Sequence, residues 1–91
     1  MPAGLTWTDG ALDHIAKHGI SREEVECAIR GPFYSRRSGD VRLVIGRCAG
    51  RTLFIVLVES SVVPDTREVA SARPAEPSEK RLLARRGKGI R

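Results

Sequence analysis

Apolar and polar positions along the chain fall into two periods, near two residues and near four. The longest apolar run is Thr52-Leu53-Phe54-Ile55-Val56-Leu57-Val58-Glu59. Its β-branched and aromatic content and its length predict a strand. Phe54, Val56 and Val58 fall on one face and Leu53, Ile55 and Leu57 on the other. A half-exposed strand alternates with polar residues, so this one is expected to be central and covered on both faces.

The remaining segments read as partners and covers for that strand. Leu5–Thr8 predicts a short first strand. Thr8 or Asp9 caps a helix over 9–18, whose inner stripe is Leu12, Ile15 and Ala16 at i, i+3, i+4. Gly19 supplies the left-handed position after it. Ser21 with Glu24 three residues on is a capping box, opening a helix to Arg30 with Val25, Ala28 and Ile29 inward. Together the two make a helical hairpin. Strands follow over Phe33–Arg37 and Val41–Arg47, turned by Ser38-Gly39-Asp40, and Ala49-Gly50 leads into the central strand. Ser60–Thr66 reads as a loop and Arg67–Arg73 as a strand. Its period of two puts Arg67, Ser71 and Arg73 on the same face as Val69. Pro77 at N1 and Glu79 at N3 open a last helix, with Leu82 and Leu83 before Gly87.

These elements predict an α+β domain: an antiparallel sheet of about 4–5 strands, the N-terminal helical hairpin on one face, and a C-terminal helix. The expected organisation is one domain over residues 1–87 and a basic tail over 88–91. No stretch approaches the ~20 apolar residues of a membrane span, and no basic start precedes an apolar run. A cytoplasmic protein without membrane partners is expected. With that compartment and no paired Cys or His spacing, Cys27 and Cys48 are expected to be reduced thiols.

Charge changes the picture in the second half. Residues 1–45 hold six Lys/Arg against six Asp/Glu, while residues 46–91 hold ten against five. From Lys80 onward there are six basic residues and no acidic one. That field attracts polyanions, nucleic acid foremost, and is also what a solubilising tail looks like.

Candidate chemistry is sparse. His14 and His18 are one helical turn apart, a spacing that chelates metals, but no third ligand is near, so no metal is expected. A protonated His18 suits the helix C-terminus. Neither a Gly-rich phosphate loop nor a Gly-x-Ser-x-Gly elbow is present. Cations with a proton carrier remain: Lys17, Arg42, Arg51, Arg67, Arg73 and Arg81 beside His18 and several carboxylates. Such a set suits RNA cleavage by the 2′-hydroxyl, which takes a general base, a general acid and positive charge on the phosphorane. Solvated or salt-bridged arginines are the plainer reading of the same residues.

The order and spacing of Trp7, Lys17-His18-Gly19-Ile20-Ser21, Glu23-Glu24, Pro32, Ile45-Gly46, Gly50-Arg51, Arg67, Ser71-Ala72-Arg73 and Glu79 with Arg81 resemble a BrnT-type toxin, over residues 5–83. The chain departs from that pattern at His14, Arg22, Glu76 and Leu83, and in its basic tail. The resemblance implies a RelE-like fold and a metal-independent endoribonuclease that blocks translation without a cofactor. It also implies a cognate BrnA-type antitoxin covering the active face. Lys17, His18, Arg51 and Arg73 are the expected catalytic centre, converging on one face, with base and acid unassigned. Arg42, Arg67, Ser71, Lys80 and Arg81 are expected to position RNA. The alternatives are a non-catalytic nucleic-acid-binding module and a protein-interaction domain that meets an acidic partner.

Overall fold

In the computed structural model, which describes residues 5–60 and 66–87, the chain folds as an α+β domain. Its elements are β1 (Leu5–Thr6), α1 (Asp9–Lys17), α2 (Arg22–Arg30), β2 (Phe33–Ser38), β3 (Val41–Cys48), β4 (Arg51–Glu59), β5 (Arg67–Pro74) and α3 (Pro77–Arg86). The tail at 88–91 and most of the Ser60–Thr66 loop lie outside the described residues. The sheet order is β1-β5-β4-β3-β2. All neighbours are antiparallel except β1, which runs parallel to β5. The sheet is therefore mixed: β1 reaches its place on the far edge before the helical hairpin crosses over.

Local chemistry sets the helix ends. Thr8 accepts from the Ala11 backbone N–H at 3.1 Å, and Gly19 follows α1 with φ +70. At α2 the capping box is complete: the Glu24 N–H donates to Ser21 Oγ and the Ser21 N–H to Glu24 Oε1, both at 3.1 Å. These bonds satisfy backbone donors that a helix start leaves open. The β2–β3 and β3–β4 connections are two-residue turns between paired residues, Ser38 with Val41 and Cys48 with Arg51. Ala49 and Gly50 both have positive φ, as a hairpin turn that follows sheet twist requires.

The core lies between the hairpin α1–α2 and one sheet face. Ile15, Ile20, Val25 and Ala28 from the helices meet Val44, Leu53, Ile55, Leu57, Val69 and Ala72 from the strands. α2 seats on β3 through glycine: a Cβ on Gly46 would stand 2.5 Å from the Ala28 carbonyl oxygen, and one on Gly31 2.6 Å from that of Arg47. The opposite face is less well covered. Ile45 is buried there, but Phe54, Val56 and Val58 are half-buried. The expectation that β4 is covered on both faces holds on the hairpin side only. α3 lies across β2 and β3 and is anchored by Leu83, 6% exposed.

Two expectations are corrected. A bulge in β5 pairs Val56 with Ser71 but Leu57 with Val69, leaving Ala70 without a partner. One extra residue inverts the alternation. Val69 and Arg67 therefore face the hairpin side, whereas Ser71 and Arg73 face the other. The second correction is covalent. Cys27 and Cys48 are joined by a disulfide, not held as reduced thiols, with Cα atoms 5.5 Å apart. The seating of α2 on β3 brings together residues that are 21 apart in sequence.

Candidate functional site

The sequence-predicted residues separate into two groups, at the same end of the sheet but on opposite faces. The first surrounds the α1–α2 junction. Arg51 opens β4 on the hairpin side, and its Nη1 donates to the Gly19 carbonyl at 3.0 Å and to Glu24 Oε2 at 3.0 Å. Its Nη2 donates to the His18 carbonyl at 3.5 Å. A helix C-terminus presents unpaired carbonyls and a partial negative charge, and a guanidinium answers both. Glu24 thus serves the cap of α2 and the anchor of Arg51 at once. Lys17 and His18 stand beside this anchor with exposed side chains. The His14 and His18 rings meet edge to face at 5.4 Å. Among the described residues no group of three or more His, Cys, Asp or Glu is placed to hold a metal ion.

The second group is built on the other face. Arg73 is the register partner of Phe54, and its guanidinium lies 4.3 Å from that ring's centroid. Glu79, in the first turn of α3, accepts two bonds from it, Nη1 to Oε1 at 3.0 Å and Nη2 to Oε2 at 2.8 Å. The same carboxylate accepts the Glu76 backbone N–H at 2.8 Å. Arg73 also donates to the Pro74 carbonyl at 3.1 Å. This fork-to-fork geometry fixes the planes of both groups. The Glu79 hydrogen bond and charge raise the Arg73 pKa against the opposing effect of burial. Burial alone would raise the Glu79 carboxyl, but the bonds from Arg73 and Glu76 and the nearby cation hold it below its ordinary value. Glu79 is therefore an ionised acceptor already occupied by a cation.

The two groups do not form one centre. Lys17, His18 and Arg51 come together on the hairpin side, and Arg73 sits across the sheet, so the expected convergence is not observed. The five RNA-positioning candidates divide as well. Arg42 donates to Ser35 Oγ at 3.3 Å on the hairpin side, and the Arg67 carbonyl accepts from the Thr6 hydroxyl at 3.3 Å. Ser71 is half-buried opposite Val56, while Lys80 and Arg81 are exposed on α3. Phe54 and the pairing role of Glu79 were missed by sequence reasoning. Phe54 looked like core, and only its place in register with Arg73 exposes its role as a platform.

Among the described residues no helix is long and apolar enough to cross a membrane. No protein family, curated protein or solved structure matches the chain.

Proposed function

We propose that the protein is a metal-independent endoribonuclease toxin of the cytoplasm that cleaves RNA, inhibits translation and is neutralised by a cognate BrnA-type antitoxin. The observation that carries the reading is the Arg73–Glu79 pair, set over Phe54 at the foot of a helix that continues through Lys80, Arg81, Arg85 and Arg86. Glu79 is ionised and so is chemically able to take a proton from a 2′-hydroxyl. Arg73 offers a planar fork that fits phosphate as well as carboxylate. Incoming phosphate takes the place of Glu79 on Arg73, and this exchange leaves the carboxylate free to act as base. Lys80 and Arg81 hold the neighbouring backbone. Lys17 and His18 belong to the other surface, and His18 enters the same test as a separate candidate.

A second reading has its own support. Arg51 and Arg73 are each already bonded to a carboxylate, which favours a non-catalytic module that binds RNA through the free cations of α3.

The test is purified protein on a mixed RNA substrate with EDTA, wild type against Arg73→Lys, Glu79→Gln and His18→Ala, each checked for folding. Wild type is expected to cleave. Arg73→Lys is expected to lose on the order of 10²–10³ in rate, as when a preorganised donor is removed. Glu79→Gln is expected to slow cleavage while RNA binding holds or tightens, because Arg73 is released. RNA bound but left intact by wild type selects the second reading. Equal cleavage by wild type and the Arg73 and Glu79 variants removes this pair from the centre.

A further inference from the structure

We infer that the Cys27–Cys48 disulfide is a reversible redox latch on α2, open to a dithiol reductant and acting on the α1–α2 junction without controlling the sheet. The inference stands apart from any action on RNA. It begins with how α2 is fastened. Successive turns of this helix meet successive points on the β3–β4 hairpin. Glu24 holds Arg51 at 3.0 Å, Cys27 is bonded to Cys48, Ala28 lies on Gly46, and Gly31 abuts the Arg47 carbonyl. The Arg47 N–H also reaches the Pro32 carbonyl at 3.2 Å. The covalent link is the second of these five contacts in chain order, with non-covalent ones on both sides of it.

That placement decides what reduction does. Val25 and Ala28 are fully buried on either side of Cys27 and stay seated by packing. The two thiols therefore remain adjacent after reduction, and the bond re-forms within one molecule. Both cysteines are only half-buried, so a small reductant reaches them. A reductant thiolate attacks one sulfur and forms a mixed disulfide. Its second thiol then displaces the remaining cysteine. The disulfide gains two electrons and two protons, and the dithiol becomes a cyclic disulfide. Every residue of β4 pairs with β3, with β5 or with both, and the strand contains neither cysteine. What loosens is α2, which stays seated on average but opens more often, and with it, through Glu24, the anchor of Arg51 on the end of α1.

The test uses the full chain, oxidised or reduced with dithiothreitol at neutral pH. Thiols are counted by alkylation and mass, and amide exchange is followed by residue. The expected result is two alkylated thiols on a protein that keeps its far-UV spectrum. Amides of residues 22–30 and of the 49–50 turn are expected to exchange about tenfold faster or more, while those of β4 stay within about twofold, as local opening implies. Removing dithiothreitol in air is expected to restore the monomeric disulfide and slow exchange. Cys27→Ser with Cys48→Ser reproduces the reduced pattern without reductant. Three results overturn the latch: unchanged exchange in α2 on reduction, a uniform rise across α2 and β4, or reoxidation to disulfide-linked dimers. The reduced wild type alone decides among them if the double variant does not fold.

Discussion

Gly46→Ala tests the seating of α2 directly. Gly46 is not a turn glycine: it lies inside β3 on the hairpin side, opposite Leu53. An added Cβ would stand 2.5 Å from the Ala28 carbonyl oxygen, 3.0 Å from its carbon and 3.3 Å from the Ala28 Cβ. Carbon–oxygen approaches of this kind settle near ~3.3–3.6 Å, so α2 must move by roughly 1 Å. A gap of that size forfeits about a quarter to a half of each dispersion contact along the seam. Overpacking costs about 1–3 kcal/mol, and this site belongs at the upper end because the obstacle is backbone and the neighbouring disulfide resists lifting. For a chain of this size ~3 kcal/mol lowers the Tm by about 12–24 °C. Two other glycines calibrate the measurement. Gly39 has φ +61 with nothing near its Cβ position, so its alanine variant costs about 1–2 kcal/mol through backbone conformation alone. Gly10 lies in α1 with open space, and Gly10→Ala is neutral or stabilises by up to ~1 kcal/mol. Urea unfolding of the three variants is the assay. Gly46→Ala within ~0.5 kcal/mol of wild type, the scale of ordinary surface changes, would refute the seam.

Three further outcomes follow from the same contacts. Glu79 titrates below its ordinary value when folded, so the stability it contributes is complete above that ordinary value and is lost as pH falls through the lowered one; urea midpoints of wild type should fall in this acid window more than those of Glu79→Gln. Leu83→Ala removes the buried anchor of α3 and should cost about 2 kcal/mol, the low end for a buried leucine at the margin of a core, with α3 amides exchanging faster than those of β4; equal exchange rates would deny α3 its dependence on Leu83. Ile55→Asp should unfold the domain, because Ile55 is fully buried, whereas Val56→Asp on the half-buried face should leave it folded by circular dichroism.

The sequence made the elements legible because their signals are local. Capping at Thr8 and Ser21, Gly19 after α1, Pro77 at N1 and the apolar run at 52–59 each act within a few residues, and all sit where the pattern placed them. What escaped depends on the count of residues between distant partners. Strict alternation over Arg67–Arg73 sent Ser71 and Arg73 to the side of Val69, and the single unpaired residue Ala70 reversed that. No local signal marks a bulge when the extra residue is an alanine instead of a glycine. The parallel pairing of β1 with β5 is of the same kind, and so is the Cys27–Cys48 bond, which is set by where α2 comes to rest on β3. The half-exposed face of β4 also eluded the pattern, because an apolar side chain declares a preference for cover but not whether enough cover exists.

The candidate site was harder to read because a sequence displays charges but hides their partners. Sixteen Lys and Arg against eleven Asp and Glu suggest a surplus of free cations. Yet the two arginines with the best claim to a phosphate, Arg51 and Arg73, are those whose carboxylates are closest, at 3.0 and 2.8 Å. Their surroundings nevertheless differ. Arg51 also holds the carbonyls that end α1, so an anion drawing it away would undo a helix cap and loosen the α2 seam. Arg73 holds a side chain and the carbonyl next to it, and Phe54 beneath keeps its guanidinium in plane when Glu79 is displaced. Exchange of one acceptor for another is cheap at Arg73 and disruptive at Arg51. By this argument Arg73 is suited to contact a ligand and Arg51 to hold the fold that presents it, although the two were indistinguishable as letters in the chain.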